Sequence, residues 1–219
     1  MTLAVVPEWV MWLYYLSTPL LVLVGLAGFA GVWMQWYAVH TTTNQERDRQ
    51  ALVAIRYFAD AVCGHSNELF IARREAGVKP YEGPVAGFER ETQAPEARAY
   101  LDEHLEELTQ VKLMEPTSAL TNALEYFAHP VVRGLASDAM VFRSCGDSFC
   151  AIMRSTSPLI CAMRSIDDAE GYRNYSSAVE LYGRWQPRIK SMKLEHEAGR
   201  LAGMASELRR RAVDLETAE

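Results

Sequence analysis

The sequence predicts an all-α protein with a single N-terminal transmembrane helix, a cytoplasmic helical bundle and a C-terminal amphipathic or coiled-coil helix. Three observations carry that prediction. From Trp9 to Gln45 there is no Asp, Glu, Lys or Arg. Apolar residues recur at helical spacing through most of residues 44–186, whereas alternating runs of Val, Ile or Thr are no more than a few residues long. Leu194, Leu201, Leu208 and Leu215 then repeat with a period of seven. The expected layout is a tail at 1–8, a span at 9–40, a connecting helix at 41–76, a loop at 77–94, a helical domain at 95–190 and a heptad helix at 191–219.

The chargeless run is long enough for a bilayer, because roughly 20 helical residues cross a hydrocarbon core of about 30 Å. Trp9, Trp12, Tyr14 and Tyr15 gather at one end, and Trp33, Trp36 and Tyr37 at the other. Amphipathic rings favour headgroup depth, so these residues read as interfacial anchors around a lipid-buried Leu16–Val32. A cleavable signal peptide needs a basic leading segment, yet the first basic side chain is Arg47. Arg47, Arg49 and Arg56 lie just beyond the run, which places the N-terminus outside and the C-terminal domain in the cytoplasm of a bacterial inner membrane. Gly25, Gly28 and Gly31, with Ala27, form a stripe of small residues along which a second membrane helix can pack closely. Pro19 follows Ser17 and Thr18, whose hydroxyls can take up carbonyls freed at a kink.

About 180 residues follow the span, enough for one domain with its own core. A net charge of -6 and a pI near 5.5, with no basic stripe, argue against a nucleic-acid partner. Cys63, Cys145, Cys150 and Cys161 are expected to be reduced thiols if the domain is cytoplasmic.

After the span, Thr43 and Glu46 fit a capping box, so either a new helix starts there or the membrane helix runs on. Leu52, Ile55, Phe58, Ala59 and Val62 trace a helix face, and helix is expected from about 44 to 75 with a kink near Gly64. Gly77, Pro80, Gly83 and Pro84 make the next stretch a loop and the most mobile segment. Pro95 with Glu96 opens a helix to about 113, with Leu105 and Leu108 on its apolar face. A second start at Pro116 leads to Leu120, Leu124 and Phe127, with His129-Pro130 as the stop. Gly134, Gly146 and Pro158 break residues 131–166 into three expected short helices. A further helix covers about 169–186 and ends at Pro187. In the last segment Ser191, Ala198, Ala205 and Ala212 alternate with Leu194, Leu201, Leu208 and Leu215, which describes a narrow coiled-coil seam or a helix docked on its own domain.

No nucleotide loop, nucleophile elbow or zinc-protease helix occurs in the sequence, and no cofactor is expected. Cys63 and His65 offer two metal ligands with nothing nearby to complete a set. Cys145, Cys150 and Cys161 match no cluster spacing and read as small apolar packing, with Cys145–Cys150 as a weaker redox pair. Glu125 and His129, four apart, read as a surface ion pair ahead of a metal site. The acidic run Asp102–Glu107 is a solvated face, and Arg209–Arg211 suit a helix C-terminus.

The stretch with Asn122, Glu125, Tyr126 and Phe127, then Arg133, Gly134, Leu135, Asp138 and Val141, then Ser157–Ile160 and Arg164, resembles a bacterial family of small single-pass membrane proteins with a cytoplasmic helical domain of unknown function. The family's tryptophan between the second and third blocks is missing, with Phe149 or Ile152 in its place. The resemblance implies a span followed by a helical domain and supplies no catalytic residues. The expected function is a non-enzymatic accessory or scaffolding subunit of a membrane complex. Its partners would be the lipid bilayer and other membrane subunits or a second copy of itself. The alternative is a membrane-tethered sensor or effector in stress response or phage defence.

Overall fold

The computed structural model describes residues 8–89, 91–108, 110–167 and 174–216, without the side chains of 8–27, 111, 165–167 and 208–216. Among the described residues every regular element is a helix, in keeping with the all-α prediction. The elements are α1 (Glu8–Tyr57), a π-helical turn (Phe58–Val62), α2 (Cys63–Glu75), α3 (Pro95–Glu103), α4 (Leu105–Leu108), α5 (Val111–Val132), α6 (Asp138–Asp167) and α7 (Ser176–Glu216). The chain divides into two units, Met1–Glu46 and Arg47–Glu219.

The first unit consists of α1 residues. Trp36 stacks on His40 at 5.5 Å with the rings nearly parallel, and Trp33 lies 5.5 Å from Trp36. The hydroxyls of Thr41 and Thr43 donate to the carbonyls of Tyr37 and Val39 at 2.8 Å, and Thr42 bonds back to Ala38. Thr43 therefore does not cap a new helix; its hydroxyl is taken by the preceding turn and α1 runs on. Among the described residues no helix is long and apolar enough to cross a membrane. The leucine- and valine-rich part of the chargeless run, with Trp9, Trp12, Gly25 and Ala27, lies outside the described side chains.

In the second unit α5 is central, with contacts to α2, the π turn, α4, α6 and α7. Leu120, Leu124 and Phe127 are buried as their spacing predicts. Phe127 packs on Phe58 at 4.9 Å, Phe149 at 5.5 Å and Trp185 at 6.3 Å. Trp185 from α7 is fully buried in this core, seated 5.4 Å from Phe149 of α6. Of the face expected in the first segment, Phe58 and Val62 are buried and Ile55 packs against the core, whereas Leu52 and Ala59 are exposed and Ala51 and Ala54 complete the buried stripe. The π turn, just ahead of Gly64, shifts the register of the ladder where a kink was expected.

Several expected boundaries are overturned, and proline is the common reason. Pro116 and Pro130 lie inside α5, Pro158 inside α6 and Pro187 inside α7. The three short helices expected over 131–166 are therefore one long helix from Asp138, which begins after Gly134 turns the chain at φ +70°. An interior proline leaves the carbonyl four residues back without its N–H. At Pro158 that carbonyl belongs to Arg154, and the Ser157 hydroxyl donates to it at 2.8 Å. The opposite error occurs at His104, where the single helix expected over 95–113 breaks into α3 and α4 and leaves Leu105 exposed.

The loop after α2 is strapped to the body instead of loose. Val78, Tyr81, Phe88 and Ala94 are buried. The Tyr81 hydroxyl donates to Pro84 O at 2.8 Å, Tyr100 donates to Lys79 O at 2.8 Å, and Phe88 meets Tyr182 edge-on at 5.3 Å. Glu89 forms an ion pair with the buried Arg164, whose other arm donates to Asn174 O at 2.6 Å.

Candidate interaction surface

The first half of α7 is held by two carboxylates from other helices, one at its start and one about three turns in. Glu125 of α5 accepts the backbone N–H groups of Ser177 at 3.1 Å and Ala178 at 2.8 Å, which are first-turn donors with no partner inside the helix. Sequence reasoning paired Glu125 with His129; the structure makes Glu125 a cap for a helix more than fifty residues away, and His129 is exposed. Asp138, in the first turn of α6, accepts the Trp185 indole N–H at 2.8 Å and Arg188 Nη1 at 2.6 Å. The Arg188 guanidinium also lies 3.8 Å over the Phe142 ring. Asp138 was legible as a helix start; its clamp on Trp185 and Arg188 had no local signal.

Past Ile189, the last buried residue of α7 among the described side chains, an open groove of about 940 Å³ lies between the helix and α6. Phe142 and Met192 supply its apolar lining, and Arg143, Asp147, Lys193 and His196 its polar rim. Lys193 pairs with Asp147 at 3.0 Å, but both are exposed and such a pair contributes little.

Over residues 191–207 α7 presents the heptad residues to solvent. Leu194 is 66% exposed and Leu201 58%, with Ala198 and Ala205 exposed between them. The reading in which this helix docks along its own domain is thereby corrected for residues 191–207, since none of them is covered. Leu208, Ala212 and Leu215, with Arg209–Arg211, lie outside the described side chains. In the first unit Gly28 and Gly31 have nothing within 4 Å of where a Cβ would stand, and Trp33, Trp36 and Tyr37 are exposed; Gly25 and Ala27 lie outside the described side chains.

The four cysteines are free thiols; Cys63 is exposed and the other three are buried. Burial, with Cys63 close by, pushes the Cys145 thiol up to about 11, and burial with Asp147 nearby pushes Cys150 up to about 12. Burial raises Cys161 as well. Such thiols stay protonated near neutrality and are poor nucleophiles. His65 is paired with Glu68 at 2.9 Å. Among the described residues no cluster of three or more His, Cys, Asp and Glu side chains is placed to hold a metal ion. Compared with protein-family models, curated proteins and solved structures, the chain gives no match.

Proposed function

We propose that this is a non-enzymatic, membrane-anchored helical protein that works by contact, as an accessory or scaffolding subunit of a membrane complex or as a homo-oligomer. The observation that carries the reading is the second half of α7. Leu194 and Leu201 stand exposed at heptad spacing on a helix whose first half buries one face, Ala178 to Ile189, against the body. Leucines repeated in this way on a solvated helix are what a partner helix covers. The anchor rests on the sequence, where the chargeless run with rings at both ends suits a single span carrying a cytoplasmic domain. The resemblance of residues 95–165 to single-pass membrane proteins points the same way.

Two measurements on the full chain test this. Alkaline carbonate washing of membranes should leave the protein in the pellet, and native mass spectrometry from a mild detergent should give a second copy or a stoichiometric subunit. Release into the wash removes the anchor, and a monomer without partners removes the scaffold.

A further inference from the structure

The least satisfied charge in the body is Arg73, in the last turn of α2. The residue is 4% exposed, and its Nη1 reaches only Ser155 O at 3.4 Å. Nε and Nη2 are buried with no hydrogen-bond partner. Those two nitrogens share one edge of the guanidinium, the edge that takes two oxygens of a carboxylate or phosphate side by side. Among the described ion pairs none involves Arg73, and a buried cation without an anion is costly. Tyr100 is the titratable group that acts on it, but the Tyr100 hydroxyl already donates to Lys79 O at 2.8 Å.

Arg73 lines a pocket of about 250 Å³ that also has Arg74 and Lys79 in its wall and no acidic residue. The end of α2 is built to tolerate an anion there. Gly77, at φ +75°, turns the chain so that Val78 N–H reaches Arg73 O at 2.9 Å and Gly77 N–H reaches Arg74 O at 3.3 Å. These bonds occupy carbonyls that would otherwise repel negative charge at a helix C-terminus. Burial pushes the guanidinium below its usual range, the cost that an anion beside it would remove.

From this arrangement we infer that the pocket takes a small oxyanion of the phosphate class, held by the Nε–Nη2 edge of Arg73 with Arg74 and Lys79 at its mouth. Entry requires that edge, now closed to solvent, to turn toward the pocket that Arg73 lines. The site goes beyond the contact function and depends on neither the anchor nor the terminal seam. Free phosphate and a phosphate headgroup share this chemistry.

The test is thermal unfolding and isothermal titration of the full-length protein in nonionic detergent, with inorganic phosphate against chloride at matched ionic strength. Phosphate should raise the unfolding midpoint and chloride should not. Exposed Arg74 and Lys79 changed together (R74A/K79A) should leave the fold intact and weaken phosphate binding roughly tenfold or more, the loss of charge-assisted bonds. Arg73→Met should abolish the phosphate effect while raising the midpoint in its absence, because it removes an uncompensated charge. If wild type and R74A/K79A respond alike, or phosphate does no more than chloride, the site does not exist. Glycerol phosphate that outcompetes inorganic phosphate assigns the headgroup as the source, and the reverse assigns the free ion. These readouts are unaffected by whether the chain is monomeric or washed from membranes, so failure here and failure of the contact function are told apart.

Discussion

The two halves of α7 obey the same periodicity and meet opposite fates. Ala178, Leu181, Tyr182, Trp185 and Ile189 recur at helical spacing and are buried against the body. Leu194 and Leu201 recur with equal regularity a few residues later, and among the described residues nothing covers them. A periodic apolar stripe states that a face exists, and it does not state who covers it. What separates the halves is what stands opposite. The first half has one carboxylate holding its start, another holding Trp185, and an aromatic cluster to fill, whereas the second has passed the end of that cluster.

This contrast can be broken at several points, and the largest effect is expected at Trp185. Trp185→Ala empties the centre of the cluster and leaves Asp138 without the indole donor, so chemical denaturation should show a loss of about 3–5 kcal/mol. Next comes Glu89→Ala, which strands the buried Arg164. Breaking a buried pair costs about 3–5 kcal/mol, and because Glu89 is a third exposed, a loss of roughly 2–4 kcal/mol is expected. Glu125→Ala should cost about 1–2 kcal/mol by uncapping α7, with Glu125→Gln recovering part of it. The smallest effect on folding belongs to the exposed half. Leu194→Glu with Leu201→Glu should change the stability of an isolated monomer by no more than about 0.5 kcal/mol each while shifting sedimentation toward the monomer. A stability loss like that of Trp185→Ala, with sedimentation unmoved, would show that this half is docked after all.

The buried side also carries a pH signature. The folded thiols of Cys145 and Cys150 sit at about 11 and about 12, above the ordinary value of 9.0, so the unfolded chain gives up their protons first. Their contribution is fully present below pH 9 and is lost as pH climbs through 11 and 12. Burial also raises Tyr100 and Tyr182, which adds to the same alkaline loss. Unfolding midpoints should therefore fall between pH 9 and pH 11, and less steeply in Cys145→Ala with Cys150→Ala. At neutral pH an alkylating reagent should modify exposed Cys63 readily and the three buried cysteines only on unfolding.

Helical class, the Pro95 start of α3, the interior face of α5 and the heptad of α7 were legible because each rests on local spacing or on one residue's backbone preference. The prolines misled for the same reason. Pro130, Pro158 and Pro187 were read as helix limits from backbone preference alone, yet packing on both sides carries each helix through, and at Pro158 a neighbouring serine takes the freed carbonyl. Of the stripe at Leu194 and Leu201, the leucines were visible in advance and their exposure was not.

The sequence by itself determined the helical class and that apolar stripes run along the helices, since those follow from side-chain shape and a period of 3.6. Only the tertiary structure decided that Glu125 caps a distant helix, that Asp138 clamps Trp185, that Arg73 is buried without an ion pair among the described residues and that Leu194 and Leu201 face solvent. Each of these depends on what lies across space from a residue, and chain spacing does not encode that.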